Sequence, residues 1–240
     1  MAVSSNTLFH FTNSIDKLSS IVNNGFLVSY CLEPIEIAFP MISFCDINLS
    51  QASNHFESYG YYAIGMKKEW AIKNKLNPVL YIESNSYLKD QLFESMENLS
   101  ETNQEEFEKF KKMINFTANF QRFHKPYQGE LKRENGRINN YKFYNEREWR
   151  FIPDIKLDIR PAMGIKEYKK FQKLNPKKPH FDNLGLKFKA QDIKYLIVKS
   201  EDEIPKIMDY ISELSNFGSH KEIQLLFTRI LTFKQIEEDM

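Results

Sequence analysis

The chain has 240 residues, 42% of them hydrophobic and 14% aromatic, which is ample for a substantial core in one large domain or two small ones. Lys and Arg number 33 against 32 Asp and Glu, so a net charge of +1 supplies no global field toward nucleic acid or a membrane surface. Cys31 and Cys45 are too few for a disulfide framework, no apolar run approaches the ~18 residues of a bilayer span, and MAVSSNTLFHFT lacks the pattern of a signal peptide, so a cytoplasmic protein is expected.

Residues 7–11 read as a first strand, followed by Thr12, Asn13 and Ser14 as a helix-capping cluster. Ile15, Leu18, Ile21 and Val22 give the helical period, and Gly25 closes that helix. Residues 39–45 (FPMISFC) form a second strand, 49–59 a helix broken by Gly60, and 61–66 a third strand. KKEWAIKNK is a short helix and residues 78–83 (PVLYIE) a fourth strand. From 86 to about 122 the period is helical. This insertion carries Asp90, Glu94, Glu97, Glu101, Glu105, Glu106 and Glu108, the pattern of a solvated face. Residues 121–140 are polar and basic with Gly129 and Gly136, a loop or hairpin. Residues 144–152 (YNEREWRFI) alternate charged with large apolar side chains. As a strand they send Glu146, Glu148 and Arg150 to one face and Arg147, Trp149 and Phe151 to the other. A basic connection spans about 163–186, marked by Pro176 and Pro179. Residues 194–198 (KYLIV) are a strand, 201–214 a helix, 223–228 (IQLLFT) a last strand and 233–240 a closing helix. With no repeat and no linker, the expectation is one α+β domain over 1–240, built on a central mixed or antiparallel sheet with a helical insertion.

Several chemistries have no motif here: GxxxxGK[ST], GxGxxG, HExxH and GxSxG are all missing. The five histidines are scattered, so no metal site is expected. What stands out is the pair of carboxylates and the guanidinium on the strand face of 144–152, which are costly to desolvate unless they bind something. His10, between Phe9 and Phe11, shares its strand face with Leu8 and Thr12 and points into a cleft or a core. Ser43 and Cys45 share one face of the second strand. His55, Glu57, Tyr59, Tyr61 and Tyr62 gather around Gly60, suited to stack on a planar ring or to cover a sheet edge. Trp70 and Trp149 read as core anchors. Phe123, Tyr127, Tyr141 and Tyr144 interleave with Arg122, Lys125, Lys132, Arg133 and Arg137, a pattern that suits single-stranded nucleic acid, although the balanced total charge does not favour it.

LFHFT with SIDKLSSIVNNGF, then MISFCDINLSQ, HFESYGYYAIGMKKEWAIKNKLNPVLYI and NEREWRF, resembles the AbiGi family of abortive phage resistance proteins over most of residues 7–152. LLFTRILTFKQIEEDM fits the same family near the C-terminus. That family is labelled an antitoxin whose partner is a nucleotidyltransferase-like toxin, so the resemblance implies a toxin–antitoxin role in phage defence. A second resemblance concerns the fold. A first-strand HFT, a helix ending in Gly, an SF strand, a YG element and a late EREWR strand look like ADP-ribosyltransferase relatives. This likeness implies NAD as substrate, with His10 on its ribose, Tyr59 or Tyr62 stacked on nicotinamide and Glu148 catalytic. Thr12 and Ser43 would line the NAD site, Glu146 would steer the acceptor, and Arg150 would keep a neighbouring carboxylate ionised. A carboxylate near the ribose suits the oxocarbenium-like state of glycosidic cleavage, and an aromatic ring orients the leaving group. Two functions follow. One is transfer of ADP-ribose to a protein, nucleic acid or small acceptor. The other is the same fold without turnover, neutralising a toxin by contact.

Overall fold

The computed structural model describes residues 5–100, 103–133, 136–154, 160–176, 181–215 and 217–239. The chain runs β1 (Thr7–Thr12), α1 (Ile15–Asn24), β2 (Phe26–Leu32), β3 (Ile37–Cys45), α2 (Ser53–Tyr59), β4 (Tyr62–Lys67) and α3 (Lys68–Lys73). Then come β5 (Asn77–Pro78), β6 (Leu80–Ile82), α4 (Tyr87–Ser100), α5 (Gln104–Arg122), β7 (His124–Pro126), β8 (Gly129–Arg133), β9 (Gly136–Tyr141) and β10 (Glu148–Phe151). The remainder is β11 (Met163–Gly164), α6 (Ile165–Leu174), β12 (Phe181–Leu186), β13 (Ile193–Val198), α7 (Ile204–Ser212), α8 (His220–Phe227), β14 (Ile230–Thr232) and α9 (Phe233–Asp239). The fold is α+β.

The central sheet has the order β12-β2-β3-β1-β4-β13-β14, with β10 and β11 also pairing with β3, and β5 with β10. It is mixed: β13 and β14 run parallel, and its other pairings are antiparallel. Strand β3 is the hinge of this arrangement, because four strands use it. β1 meets β3 at a single paired position, Phe9 opposite Cys45.

Alternation along the strands divides the apolar residues between two faces. Leu8, Phe26, Phe44, Ile64 and Leu196 pack on one side with Trp70 and with residues of α1, α7 and α8. Phe9, Cys45, Ala63 and Ile197 pack on the other with Phe56 of α2 and Ile236 of α9. Both helical covers follow from sequence. α1 starts at Ser14, whose hydroxyl accepts the Lys17 N–H, and ends at Gly25, whose N–H returns to the Ile21 carbonyl.

Three expectations change. Residues 144–152 are not one strand: 143–146 form a 3-10 turn, Arg147 is left-handed at φ 47° and ψ 52°, and only Glu148–Phe151 is extended. Burial of Phe143 and the Tyr144 N–H bond to the Tyr127 carbonyl hold that turn. Residues 223–228 are helical instead of extended. Ser219 and Glu222 form a reciprocal capping box that starts α8, and the strand moves to Ile230–Thr232. The basic stretch at 163–186 is no mere connection, since it holds β11, α6 and the edge strand β12. The side chains of Glu57, Glu97, Glu101, Glu106, Lys132 and Arg133, together with Pro179, lie outside what is described.

Gly60 turns α2 into β4 at φ 106°, and a Cβ there would press on the Thr12 carbonyl oxygen and lie 2.5 Å from the Asn13 Cα. Both the conformation and the close backbone approach require glycine. Gly60→Ala is expected to lose about 2–4 kcal/mol of unfolding free energy, read by denaturant titration. A loss below the uncertainty of the fit would show that the turn relaxes freely.

Candidate functional site

The charged face of β10 sits inside the molecule. Arg150 is 0% exposed, Glu146 2% and Glu148 4%. Burying such groups is tolerable only where each finds a partner, and here the partners are supplied from four separate parts of the chain. Arg150 Nε donates to Glu148 Oε1 at 2.7 Å and Nη2 to Glu33 Oε2 at 2.5 Å, while Nη1 donates to the Arg122 carbonyl at 2.7 Å. Lys125, on β7, reaches across with its ammonium 2.6 Å from Glu146 Oε2 and 2.6 Å from Glu148 Oε2. Its ammonium also lies 5.0 Å from the centre of the Phe143 ring. The Tyr59 hydroxyl donates to Glu146 Oε1. The backbone N–H of Glu148 donates to the Tyr81 hydroxyl at 2.8 Å.

The electrostatics follow from this packing. Burial pushes the Glu148 carboxyl up, but Arg150 and Lys125 together outweigh it and hold the group at about 2. Glu33 goes the other way: burial dominates and raises it, with Arg150 and Lys125 only partly compensating. Burial would lower Lys125, yet Glu148, Glu33 and Glu146 more than offset that and keep the ammonium charged. Burial lowers His124 to about 4, helped by Arg150. His55, also lowered by burial, stacks between Phe11 and Tyr59 on this same side of the sheet.

His10 lies elsewhere. Phe9, Cys45 and Glu148 are directly opposite one another across β1, β3 and β10, so they share a face. His10, one residue along, points to the other face, where its ring packs against Phe26 and Phe44. Its Nδ1 is 2.9 Å from the Ser43 carbonyl oxygen. Because that oxygen can only accept, Nδ1 carries the proton, and burial lowers the pKa so that the ring is neutral. His10 is half-buried there, with its ring against the apolar side chains of that face. The expected shared pocket of His10 and Glu148 does not form, because a one-residue difference in register puts them on opposite sides of the sheet.

The other expected residues divide the same way. Tyr59 joins Glu146, whereas Tyr62 pairs with Thr12 on the His10 face and donates to Glu203 Oε1 at 2.8 Å. Ser43 pairs with Arg150 across β3 and β10 and contributes its carbonyl to His10. Glu33, Lys125 and Tyr81 complete the network, and no sequence pattern marks them for it. Lys125 stood in a basic stretch and Glu33 between the first helix and the strand at 39–45, where no element is expected, so nothing local marked either. Two surface clefts, one between α4 and α5 and one beside α3, are lined by none of these residues. Among the described residues no helix is long and apolar enough to cross a membrane, and no group of His, Cys, Asp or Glu is arranged to hold a metal ion.

The whole chain can now be set beside known proteins. It belongs to the AbiGi family, whose model, described as "Putative abortive phage resistance protein AbiGi, antitoxin", matches residues 26–199. It is also 28% identical over 219 residues to the "Abortive phage resistance protein AbiGi" of Lactococcus lactis subsp. cremoris, covering 83% of this chain and 88% of that protein. No solved structure matches it.

The network makes acid stability a readout. A carboxyl held down in the folded state contributes stability that is complete above the unfolded value and lost as pH falls through the folded one. For Glu148 that window runs from 4.5 down to about 2. Glu33, raised, has the opposite sign and loses its contribution as pH rises. Glu148→Gln is expected to cost about 3–5 kcal/mol at neutral pH, the penalty for breaking a buried pair, and to flatten the pH dependence across the Glu148 window. Denaturant unfolding of both proteins through that range checks it, and an unchanged slope would remove Glu148 as the titrating group.

Proposed function

We propose that this chain is the antitoxin-type component of an abortive phage-resistance pair and restrains its partner toxin by non-covalent contact. The family description supplies the setting, phage resistance and an antitoxin role. The observation that carries the contact reading is the fate of the charged groups on β10. Glu146 and Glu148 are both buried and both spent on Lys125, with Arg150 completing the second pair. A carboxylate that stabilises a developing cation must face the reacting atoms, and here it faces an internal ammonium and guanidinium. The imidazole that an NAD-ribose site would need lies on the far side of the sheet, bonded to the backbone of β3. What remains for function is the exterior, and an antitoxin that works by contact needs only that.

Incubation of the purified chain with labelled NAD, alone and with host lysate, is expected to release no nicotinamide above the buffer rate. In parallel, co-expression with the toxin gene that neighbours its own is expected to restore growth and to yield a complex that survives gel filtration. Nicotinamide release that disappears in Glu148→Gln, while the variant still folds by circular dichroism, would overturn the contact reading in favour of chemistry.

A further inference from the structure

We infer that the groove between α3 and residues 187–192 is the surface on which the partner toxin seats an acidic segment, an inference that rests on the contact reading above. The groove encloses about 700 Å³. Lys67 and Lys73 line it from the α3 side, and Lys187 and Lys189 from the other. Its acidic groups are Glu69 and Asp192, and Asp192 is already committed, accepting the backbone N–H of Lys189 at 2.9 Å. Lys67 and Lys73 pair with no carboxylate among the described residues. The whole chain carries a charge of only +1, so this concentration of ammonium groups is local.

The walls are fixed before any partner arrives. Trp70, almost fully buried, forms the floor and donates its indole N–H to the Lys187 carbonyl at 3.2 Å. Phe188 packs edge-on against the same ring at 6.3 Å and against Phe217 at 6.1 Å. Lys187 is tethered further by its ammonium, 2.6 Å from the Asn24 carbonyl. A pre-set groove loses less freedom on binding, which favours affinity.

The chemistry selects a protein occupant. Single-stranded nucleic acid needs exposed aromatic faces on which bases stack, and the Trp70 ring is turned into the core. Glu69 and Asp192 on the walls also oppose a continuous row of phosphates, whereas a peptide offers carboxylates for the lysines and amide N–H groups for the acids. A second copy of the chain could present exposed Asp90 and Glu94 of α4, but that contact joins unlike surfaces and lacks the self-complementarity of the common two-fold dimer.

The test uses the full chain co-expressed with the neighbouring toxin gene. Lys67→Glu, Lys73→Glu and Lys189→Glu combined should weaken toxin capture by roughly tenfold or more and abolish growth rescue, with the melting temperature unchanged. A control of equal charge change on exposed α6, combining Lys169→Glu, Lys170→Glu and Lys173→Glu, should capture as wild type does. Capture by wild type should also weaken as salt is raised past about 0.15 M, where the screening length is ~8 Å. Equal capture by wild type and the groove variant would overturn the groove while leaving the contact reading intact. Failure of the wild type to capture toxin would overturn both. A groove variant that keeps toxin capture but loses self-association, or loses binding to an oligouridylate probe, would replace the inferred occupant by a second copy or by RNA.

Discussion

The fold depends on how one guanidinium is satisfied. Arg150 is completely buried, and its donors reach Glu148 on its own strand, Glu33 just beyond β2, the Arg122 carbonyl at the end of α5 and, at 3.4 Å, the His124 carbonyl. The residue therefore ties the sheet to the end of the helical insertion. Such a buried pair adds little net stability over an apolar filling, because desolvation consumes most of the Coulomb gain. Its effect is on register: any slip of β10 along β3 strands a charge in the interior. The balance of the cluster is instructive. Glu33, Glu146 and Glu148 contribute −3 and Lys125 and Arg150 contribute +2, leaving −1. Burial raises the Glu33 carboxyl, while Glu148, between the two cations, is held low.

How much of this was legible depends on distance along the chain. Alternation alone placed Glu148 and Arg150 on one face of β10, and Trp149 and Phe151, which pack against the main core, on the other. It also brought Glu146 to the right side, although a left-handed Arg147 delivers it instead of a continuous strand. Alternation could not say how β1 and β10 align across β3, and that offset of one residue separates His10 from Glu148. Nor could it find Glu33 or Lys125, which stand 117 and 25 residues before Arg150. The helix at 223–228 has a local signal. An apolar run of that length fits strand or helix equally, and the Ser-His-Lys-Glu start that decides it was present in the sequence.

His10, Tyr59, Tyr62 and Glu148, four of the residues that suggested an ADP-ribosyltransferase arrangement, each bond to another part of the chain. His10 takes over where backbone pairing between β1 and β3 stops, its Nδ1–H supplying the Ser43 carbonyl with a partner. Tyr59 anchors α2 to Glu146, and Tyr62 anchors β4 to Glu203. Polar side chains on buried strands are as good at fixing junctions as at holding a ligand, and residue type at a given order along the chain does not separate the two uses. Partner identity does: a catalytic group must keep a lone pair or proton for something outside the protein.

That distinction explains why the interior and the surface carry different burdens here. The charged groups around β10 are paired with one another, so they hold β3, β10, β7 and the end of α5 in one arrangement. The lysines beside α3 stand at the surface around the buried Trp70, with Lys73 and Lys189 exposed and Lys187 held to the Asn24 carbonyl. A protein that acts by contact needs this division. Its recognition surface must be open in the free state yet already in shape, and the ion pairs around Arg150 together with the packing of Phe188 on Trp70 supply that rigidity.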